Sequence, residues 1–319
     1  MRFKNSFRLF SASTKTILRD LLFRGVTFIV FATVAYFFIT PFIGNIFAQT
    51  ETEALFEALK KVVGAFFTGA GEFKSASEEL FPIWDGFVAM LSGKLGEIYS
   101  VSAVTGILII LASMFFGLAE YASGKSVYTY STSLKSDGYL KSILENFGKA
   151  FLYQLVYSVV SFVWNAFVFA LTFFFFKYTV AYLTIFALTF SIIIVALGIS
   201  VKKALFSDFL PAVCSGEKVF KAFADCFAFK GKKKDFGMVY GLYLFTNGVI
   251  FFVNVSVAIF TFGAGLFFTV PASFVFISCE NQVVYFSRTK RKYFIDYNTV
   301  VNPSELGLEE EKLLKGIDM

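Results

Sequence analysis

The sequence contains no histidine and only three cysteines, Cys214, Cys226 and Cys279. Without histidine, neither a Ser–His or Cys–His catalytic pair nor a His-ligated metal site can form. The three cysteines lack metal-binding spacing, and we expect reduced thiols because all three fall on or near the predicted cytoplasmic side. We therefore predict a protein that is not an enzyme, with no catalytic residue, no cofactor and no metal.

Charged residues are also scarce. They make up 16% of the 319 residues, whereas an average soluble domain has about 25%. The stretch 150–201 carries one charge, Lys177, and the stretch 236–287 carries one, Glu280. A helix of about 50 residues would be ~75 Å long, which is too long for one crossing of a bilayer core of ~30 Å. Each stretch therefore predicts two membrane spans, with turns at Phe173–Thr179 and Thr261–Gly265.

Two further apolar stretches complete an all-α, polytopic transmembrane helical bundle with six spans. The predicted spans lie at about 25–48, 98–120, 150–175, 178–201, 236–260 and 264–287. A short Phe-bearing amphipathic helix precedes each pair of spans, at 1–24, 134–149 and 216–230. We interpret this as three repeats of a short amphipathic helix plus a helical hairpin. A polar cytoplasmic tail, 288–319, is predicted to end in a helix capped by Asn302.

The segment 49–97 interrupts the first pair of spans and has a different composition. Thr50-x-x-Glu53 and Ser75-x-x-Glu78 both fit the capping-box pattern that opens a helix. Each is followed by apolar residues at helical spacing, and Trp84 suits the headgroup level of a membrane. We predict two amphipathic helices on the outer surface, which serve either as a cover over the bundle or as a gate or docking surface.

The distribution of basic residues predicts the orientation. Segments 1–25, 120–149, 202–235 and 288–319 hold 6, 4, 8 and 6 Lys and Arg residues, which is 24 of the 29 in the chain. Because cytoplasmic loops carry the excess of Lys and Arg, both termini are predicted to be cytoplasmic. The amphipathic helix at 1–24 is predicted to lie on anionic headgroups, or to act as an arm that docks a partner.

Polar side chains recur at helical spacing within the predicted spans, which makes them the candidate site. These polar seams are Glu120 in the second span, Gln154, Ser158, Ser161 and Asn165 in the third, Asn247 and Asn254 in the fifth, and Ser273 and Glu280 in the sixth. One interpretation is tight packing through small residues and amides, with which Gly237-x-x-x-Gly241 also agrees. The other interpretation is a shared polar cavity.

The two carboxylates differ in their predicted surroundings. Glu120 is expected at the end of its helix, in contact with water. Glu280 lies eight residues before Arg288, ~12 Å along the helix, and so inside the membrane. A carboxylate there needs a partner, such as Asn247, a cytoplasmic lysine, water or its own proton.

The connection from Gly117 through Glu145-Asn146-Phe147-Gly148-Lys149-Ala150 resembles the YesL-like family of bacterial six-span membrane proteins. Pro271 and the terminal Tyr285 of the last span are similar as well. The resemblance extends over the format of residues 100–287. The insertion at 49–98 and the polarity of the seams depart from the family's pattern. It implies a bacterial cytoplasmic membrane and an accessory role, since no activity is established for that family.

These features predict a non-enzymatic accessory, assembly or lipid-interacting component of the cytoplasmic membrane. Its expected partners are membrane lipids, through anionic headgroups at the cytoplasmic face, and a membrane protein, but not nucleic acid. The alternative is a small-solute transporter or channel that uses the polar seams between the spans.

Overall fold

A computed structural model describes residues 2–68, 70–135, 138–179, 184–228 and 235–304. The α-helices are α1 (Arg2–Ala12), α2 (Thr14–Phe47), α3 (Thr50–Thr68), α4 (Ala70–Gly93), α5 (Leu95–Ser133), α6 (Tyr139–Glu145), α7 (Phe147–Thr179), α8 (Thr184–Phe206), α9 (Phe209–Cys214), α10 (Val219–Phe227), α11 (Phe236–Phe260) and α12 (Leu266–Thr289). Two short strands, β1 (Tyr293–Asp296) and β2 (Thr299–Val301), pair in antiparallel register.

The predicted all-α fold with six spans is confirmed. Six helices are long and apolar enough to cross a membrane, namely α2, α5, α7, α8 with its continuation into α9, α11 and α12. The short helices α1, α6 and α10 each precede one pair of these, as the repeat predicts. The turn at Thr261–Gly265 is present. The turn predicted at Phe173–Thr179 is wrong, because α7 continues to Thr179, and the residues that follow lie outside the described ranges.

The chain divides into two compact units. The first comprises residues 1–25 and 114–319, and the second comprises residues 26–113. In the second unit α3 and α4 pack against each other, with Thr52, Leu55 and Ala58 buried. Ser75 does not cap a helix as predicted, because α4 has already begun at Ala70. The Ser75 side chain therefore lies within the helix.

The core of the first unit is built around α12. Half of the most apolar window of α12 is buried, whereas the corresponding share is 6–17% in the other five spans. Small and polar side chains make this possible, since Ser278, Cys279, Glu280 and Gln282 are all buried in the last half of the helix. The other spans expose many large apolar residues, which is the surface expected of helices that face lipid.

The span helices extend beyond their predicted ends and add to this core. Helix α5 does not end near Glu120 but runs to Ser133, and it buries Tyr121, Ala122 and Val127 on the way. The predicted helix at 1–24 is divided at Ser13, and its second half belongs to α2. The predicted helices at 134–149 and 216–230 are also shorter than expected, at seven and nine residues.

A network of ion pairs connects the helices at one end of this unit. Arg288 Nε donates to Asp235 Oδ2 at 3.0 Å, and Arg288 Nη1 donates to Asp208 Oδ2 at 2.9 Å. Asp235 also pairs with Arg2 at 2.7 Å. We call the end of the first unit where these four residues meet the basic end.

Helix α1 packs on α12 and β1 at the basic end. Its Asn5 donates to the Tyr293 hydroxyl at 3.1 Å, and Arg8 pairs with Asp296 at 3.0 Å. Two arginines that were predicted to meet headgroups thus bind carboxylates of the same chain. The β1–β2 hairpin itself was not predicted. Asn302 is followed by helical residues at Pro303 and Ser304, and the rest of the predicted tail helix lies outside the described residues.

Candidate binding cavity

A cavity of about 520 Å³ lies in the first unit between α5, α7, α8 and α12. This volume is within the usual range of ligand pockets, roughly 300–1,000 Å³. Its polar lining residues are Glu120, Tyr153, Tyr157, Asn165, Lys202, Lys203 and Asn281, and its apolar lining residues are Val168, Phe169, Val195, Ile199, Phe206, Phe274 and Ile277.

Two adjacent lysines near the end of α8 supply the positive charge of the cavity. Lys202 Nζ donates to the Asn165 amide oxygen at 2.9 Å. Lys203 Nζ donates to the Asn247 amide oxygen at 2.5 Å, and the Asn247 amide nitrogen donates to Ser200 Oγ at 2.8 Å. Two predicted seam residues, on α7 and α11, therefore hold the two ammonium groups in place.

Glu120 faces the cavity on α5, together with two stacked tyrosines of α7. The Tyr153 hydroxyl donates to Glu120 Oε1 at 3.3 Å. The rings of Tyr153 and Tyr157, one helical turn apart, lie nearly parallel with centroids 5.8 Å apart. The prediction that Glu120 ends its helix is wrong, because α5 continues for three more turns. Its side chain is half-buried and lines the cavity.

The polarity of the lining changes along the cavity. On α8, Val195 precedes Lys202 by seven residues, which is ~10 Å along the helix and away from the basic end. On α7, Val168 and Phe169 likewise follow Asn165 away from the basic end. Charged groups thus line the part of the cavity near the basic end, and apolar side chains line the part nearer the middle of the spans.

Glu280 lies behind the cavity wall rather than in it. Its side chain is fully buried, and its Oε1 accepts the Thr246 hydroxyl at 2.7 Å. Its Oε2 has no hydrogen-bond partner among the described residues. The charge of Lys203 acts on it electrostatically. The next residue, Asn281, lines the cavity and accepts the Tyr243 hydroxyl.

Gln154, which is hydrogen-bonded to Ser158 of its own helix, forms a separate contact with α5. Gln154 Nε2 donates to Ser158 Oγ at 2.9 Å, and the Gln154 side chain packs directly on Gly117. A Cβ atom at Gly117 would lie 1.7 Å from this side chain. This part of the seam is therefore a packing contact of the kind that small residues permit.

The remaining predicted seam residues are dispersed. Ser161 lies beside Tyr157, and Ser273 Oγ donates to the Thr269 carbonyl of its own helix at 2.7 Å. Asn254 Oδ1 is buried on α11 without a partner among the described residues. The Gly237-x-x-x-Gly241 motif is not a packing seam within the described part of the chain, because a Cβ atom at either glycine would meet nothing within 4 Å.

A buried ion pair supports the same region. Asp20 is fully buried and accepts the Arg24 Nε–H at 2.7 Å, the Ser123 hydroxyl at 2.5 Å and the Tyr139 hydroxyl at 2.8 Å. Burial and the Asp20 carboxylate raise the pKa of Tyr139, so its hydroxyl stays protonated and donates. The Arg24 guanidinium lies 4.4 Å from the ring centroid of Phe274, which lines the cavity. This pair fixes α2 against α5 and the cavity wall.

Sequence reasoning missed Lys202, Lys203 and the two tyrosines as cavity residues. The lysines directly follow an apolar span, so from the sequence they count only among the basic residues that orient the protein in the membrane. The buried ion pair between Asp20 and Arg24 could have been predicted from the sequence. Asp20 is the only acidic residue before Glu51, and it precedes Arg24 by four positions. That spacing brings two side chains together on one helix face.

The fold defines a multi-pass integral membrane protein. No protein-family model, curated protein or solved structure matches the chain significantly, so the resemblance to the YesL-like family stays a prediction.

Proposed function

We propose that this protein is a non-enzymatic component of the bacterial cytoplasmic membrane that binds a phospholipid in the cavity lined by Lys202 and Lys203. Both termini then lie in the cytoplasm, and the basic end of the bundle lies at the level of the cytoplasmic headgroups. The protein acts as a lipid-interacting or accessory factor. A membrane-protein partner could receive the bound lipid from it.

The observation that carries this proposal is the change of polarity along one cavity. Lys202 and Lys203 lie near the basic end, and Val195 and Phe169 line the part nearer the middle of the spans. A phospholipid has the same order of groups, with a phosphate at the interface and acyl chains toward the bilayer centre. Basic pockets between transmembrane helices on the cytoplasmic side are known to bind lipid headgroups.

The two lysines suit a phosphate group. Asn165 and Asn247 each occupy one hydrogen of a lysine ammonium group, and an ammonium has three to donate. A phosphate oxygen can therefore accept from these groups without displacing the amides. Hydrogen bonds between an ammonium and a phosphate are about twice as strong as those between neutral groups.

The alternative function is that of a small-solute transporter, and the only feature in its support is the polar part of the cavity lining. A cavity for a small anion would use the lysines and amides but would gain nothing from the apolar half. The apolar half is the reason that we prefer a lipid. Inorganic phosphate is the probe that separates these two functions.

The test is lipid binding to the delipidated protein in detergent, measured by native mass spectrometry and by titration. The probes are dioctanoyl phosphatidylethanolamine, dioctanoyl phosphatidylglycerol and inorganic phosphate. We expect saturable binding of one lipid, and a loss of about tenfold or more in affinity for Lys202→Ala/Lys203→Ala, since a charged hydrogen bond contributes ~1.5–3 kcal/mol.

Lys177→Ala is the matched control, because Lys177 is an exposed lysine at the far end of α7. Its affinity for lipid should equal that of the unmodified protein. Equal lipid binding by the double variant would contradict the proposal. Saturable binding of inorganic phosphate with no binding of lipid would favour the transporter instead.

A further inference from the structure

The charged groups of the cavity are of both signs, and they occupy different positions along it. Lys202 meets Asn165 of α7, whereas Glu120 meets Tyr153, twelve residues nearer the start of the same helix. Lys202, Lys203 and Glu120 all line this one cavity. The cavity is therefore dipolar rather than uniformly positive.

We propose that the bound lipid is an aminophospholipid, with its phosphate at Lys202 and Lys203 and its primary ammonium group at Glu120. This inference rests on the proposed function and specifies the headgroup class of the same site. The order of the groups along the cavity carries it. From the middle of the spans toward the basic end, the lining passes from Val195 and Phe169 to Lys202, and then to Glu120 beside Tyr153.

The same order occurs in an aminophospholipid, whose ammonium group extends beyond the phosphate toward water. Phe206 follows Lys202 by one turn on α8 and is therefore nearer the basic end. Its ring centroid lies 6.2 Å from that of Tyr157, which places the tyrosines nearer the basic end than Lys202. An ammonium group that extends past the phosphate at Lys202 would therefore meet Tyr157, Tyr153 and Glu120.

A singly negative lipid fits this arrangement less well. Its phosphate would pair with the lysines, but its head would place only hydroxyl groups beside the carboxylate of Glu120. A zwitterion, in contrast, pairs with both poles of the cavity and adds no net charge.

The surroundings of Glu120 suit a primary ammonium group in particular. Among the described residues, only the Tyr153 hydroxyl hydrogen-bonds the Glu120 side chain, so the carboxylate can accept further N–H groups. The half-buried ring of Tyr157, on which Tyr153 stacks, adds an aromatic surface that attracts cations. A trimethylated ammonium group would keep the attraction to the rings but could not donate a hydrogen bond to the carboxylate.

The test compares three dioctanoyl lipids on the full-length protein, namely phosphatidylethanolamine, phosphatidylcholine and phosphatidylglycerol. We expect phosphatidylethanolamine to bind at least about tenfold more tightly than either of the others, since one charged hydrogen bond is at stake. Glu120→Gln should remove this preference while it keeps saturable binding of phosphatidylglycerol. Glu145→Gln, at an exposed carboxylate of α6, should keep the preference unchanged.

The ranking of headgroups by the unmodified protein tests the inference even if the Glu120 variant does not fold. Binding of phosphatidylglycerol that equals or exceeds that of phosphatidylethanolamine, and that depends on Lys202 and Lys203, would overturn the inference and leave the proposed function standing. Loss of lysine dependence for every lipid would overturn both. Equal binding of phosphatidylcholine and phosphatidylethanolamine would show that Glu120 does not contact the headgroup.

Discussion

Replacing Arg288 with methionine should strongly destabilise the basic end of the bundle. The Arg288 side chain is 10% exposed, and it binds Asp208 at 2.9 Å and Asp235 at 3.0 Å. Methionine keeps most of the length of the side chain but removes the charge. Asp235 would keep its pair with Arg2, and Asp208, whose side chain is 12% exposed, would lose its bond to the guanidinium.

Removing one partner of a buried ion pair typically costs about 3–5 kcal/mol, because the other charge stays buried after that partner is lost. At roughly 2–4 °C per kcal/mol, the melting temperature should fall by about 6–20 °C. The measurement is thermal unfolding of the detergent-solubilised protein, followed by fluorescence. Adding Asp208→Asn to Arg288→Met should recover part of the loss, since it removes a buried charge that has lost its arginine partner.

Arg8→Met is the control for this substitution. Arg8 and Asp296 also form an ion pair, but their side chains are 43% and 36% exposed. Exposed pairs contribute ~0–1 kcal/mol, so the control should change the melting temperature little. If Arg288→Met lowers the melting temperature no more than Arg8→Met does, the ion pairs at the basic end do not stabilise the bundle.

The same ion pairs predict that the melting temperature depends on pH in the acid range. Burial would raise the pKa of Asp235, but hydrogen bonds and charges from Arg2 and Arg288 outweigh it and lower the pKa below its usual value. A carboxylate with a lowered pKa in the folded state stabilises the protein above its unfolded pKa, and this stabilisation is lost as the pH falls. The melting temperature should therefore drop below about pH 4, and this drop should be shallower in Arg288→Met.

Two further substitutions test the interior. Glu280→Gln should leave the melting temperature unchanged or raise it, because the amide oxygen can still accept from Thr246 and the fully buried carboxylate is removed, whereas Glu280→Ala should cost ~1–3 kcal/mol. A loss for Gln as large as that for Ala would mean that the carboxylate itself is needed for stability. Gly117→Ala should be less stable than Gly106→Ala by ~0.5–1.5 kcal/mol, because the terminal amide of Gln154 must move away from the new methyl group and loses its hydrogen bond to Ser158, whereas Gly106 has open space around it. Thermal unfolding measures both, and equal effects at the two glycines would show that Gly117 is not a packing contact.

The six spans could be predicted because an apolar run of the right length has few alternatives in a membrane. The long uncharged stretches around Lys177 and Glu280 each had to fold into two helices. The turn at Thr261–Gly265 was also readable, since its two glycines interrupt the apolar run. The turn near Thr179 was not, because the Phe-rich residues before it suit a helix as well as they suit a turn.

The ends of the helices could not be predicted from hydropathy. Residues 120–133 are polar enough to read as a loop, but tertiary packing extends α5 through them. The short apolar helix α9 and the β1–β2 hairpin, which holds Tyr293 and Ile295 in the core, likewise depend on contacts with distant parts of the chain. Glu120 was misplaced for this reason, since its predicted exposure assumed that the helix ended there.

The candidate site was predictable in part. Asn165 and Asn247 stood out as polar residues in apolar spans, but their lysine partners lie at the end of a different helix and have an ordinary role in membrane orientation. Gln154 is also a polar residue in the same apolar span as Asn165, but it packs on Gly117 rather than lining the cavity. Spacing along one helix cannot show which of its polar residues face a cavity, because that depends on the neighbouring helices.

The most direct test of the account is an electron cryomicroscopy map of the protein in nanodiscs of phosphatidylethanolamine and phosphatidylglycerol. We predict elongated density in the cavity, with its phosphate within ~3 Å of the ammonium group of Lys202 or Lys203 and an acyl chain along Val195 and Phe169. A cavity that contains only water-sized density, or that is closed by side chains while lipids order elsewhere on the surface, would contradict the proposal that this protein binds a phospholipid there.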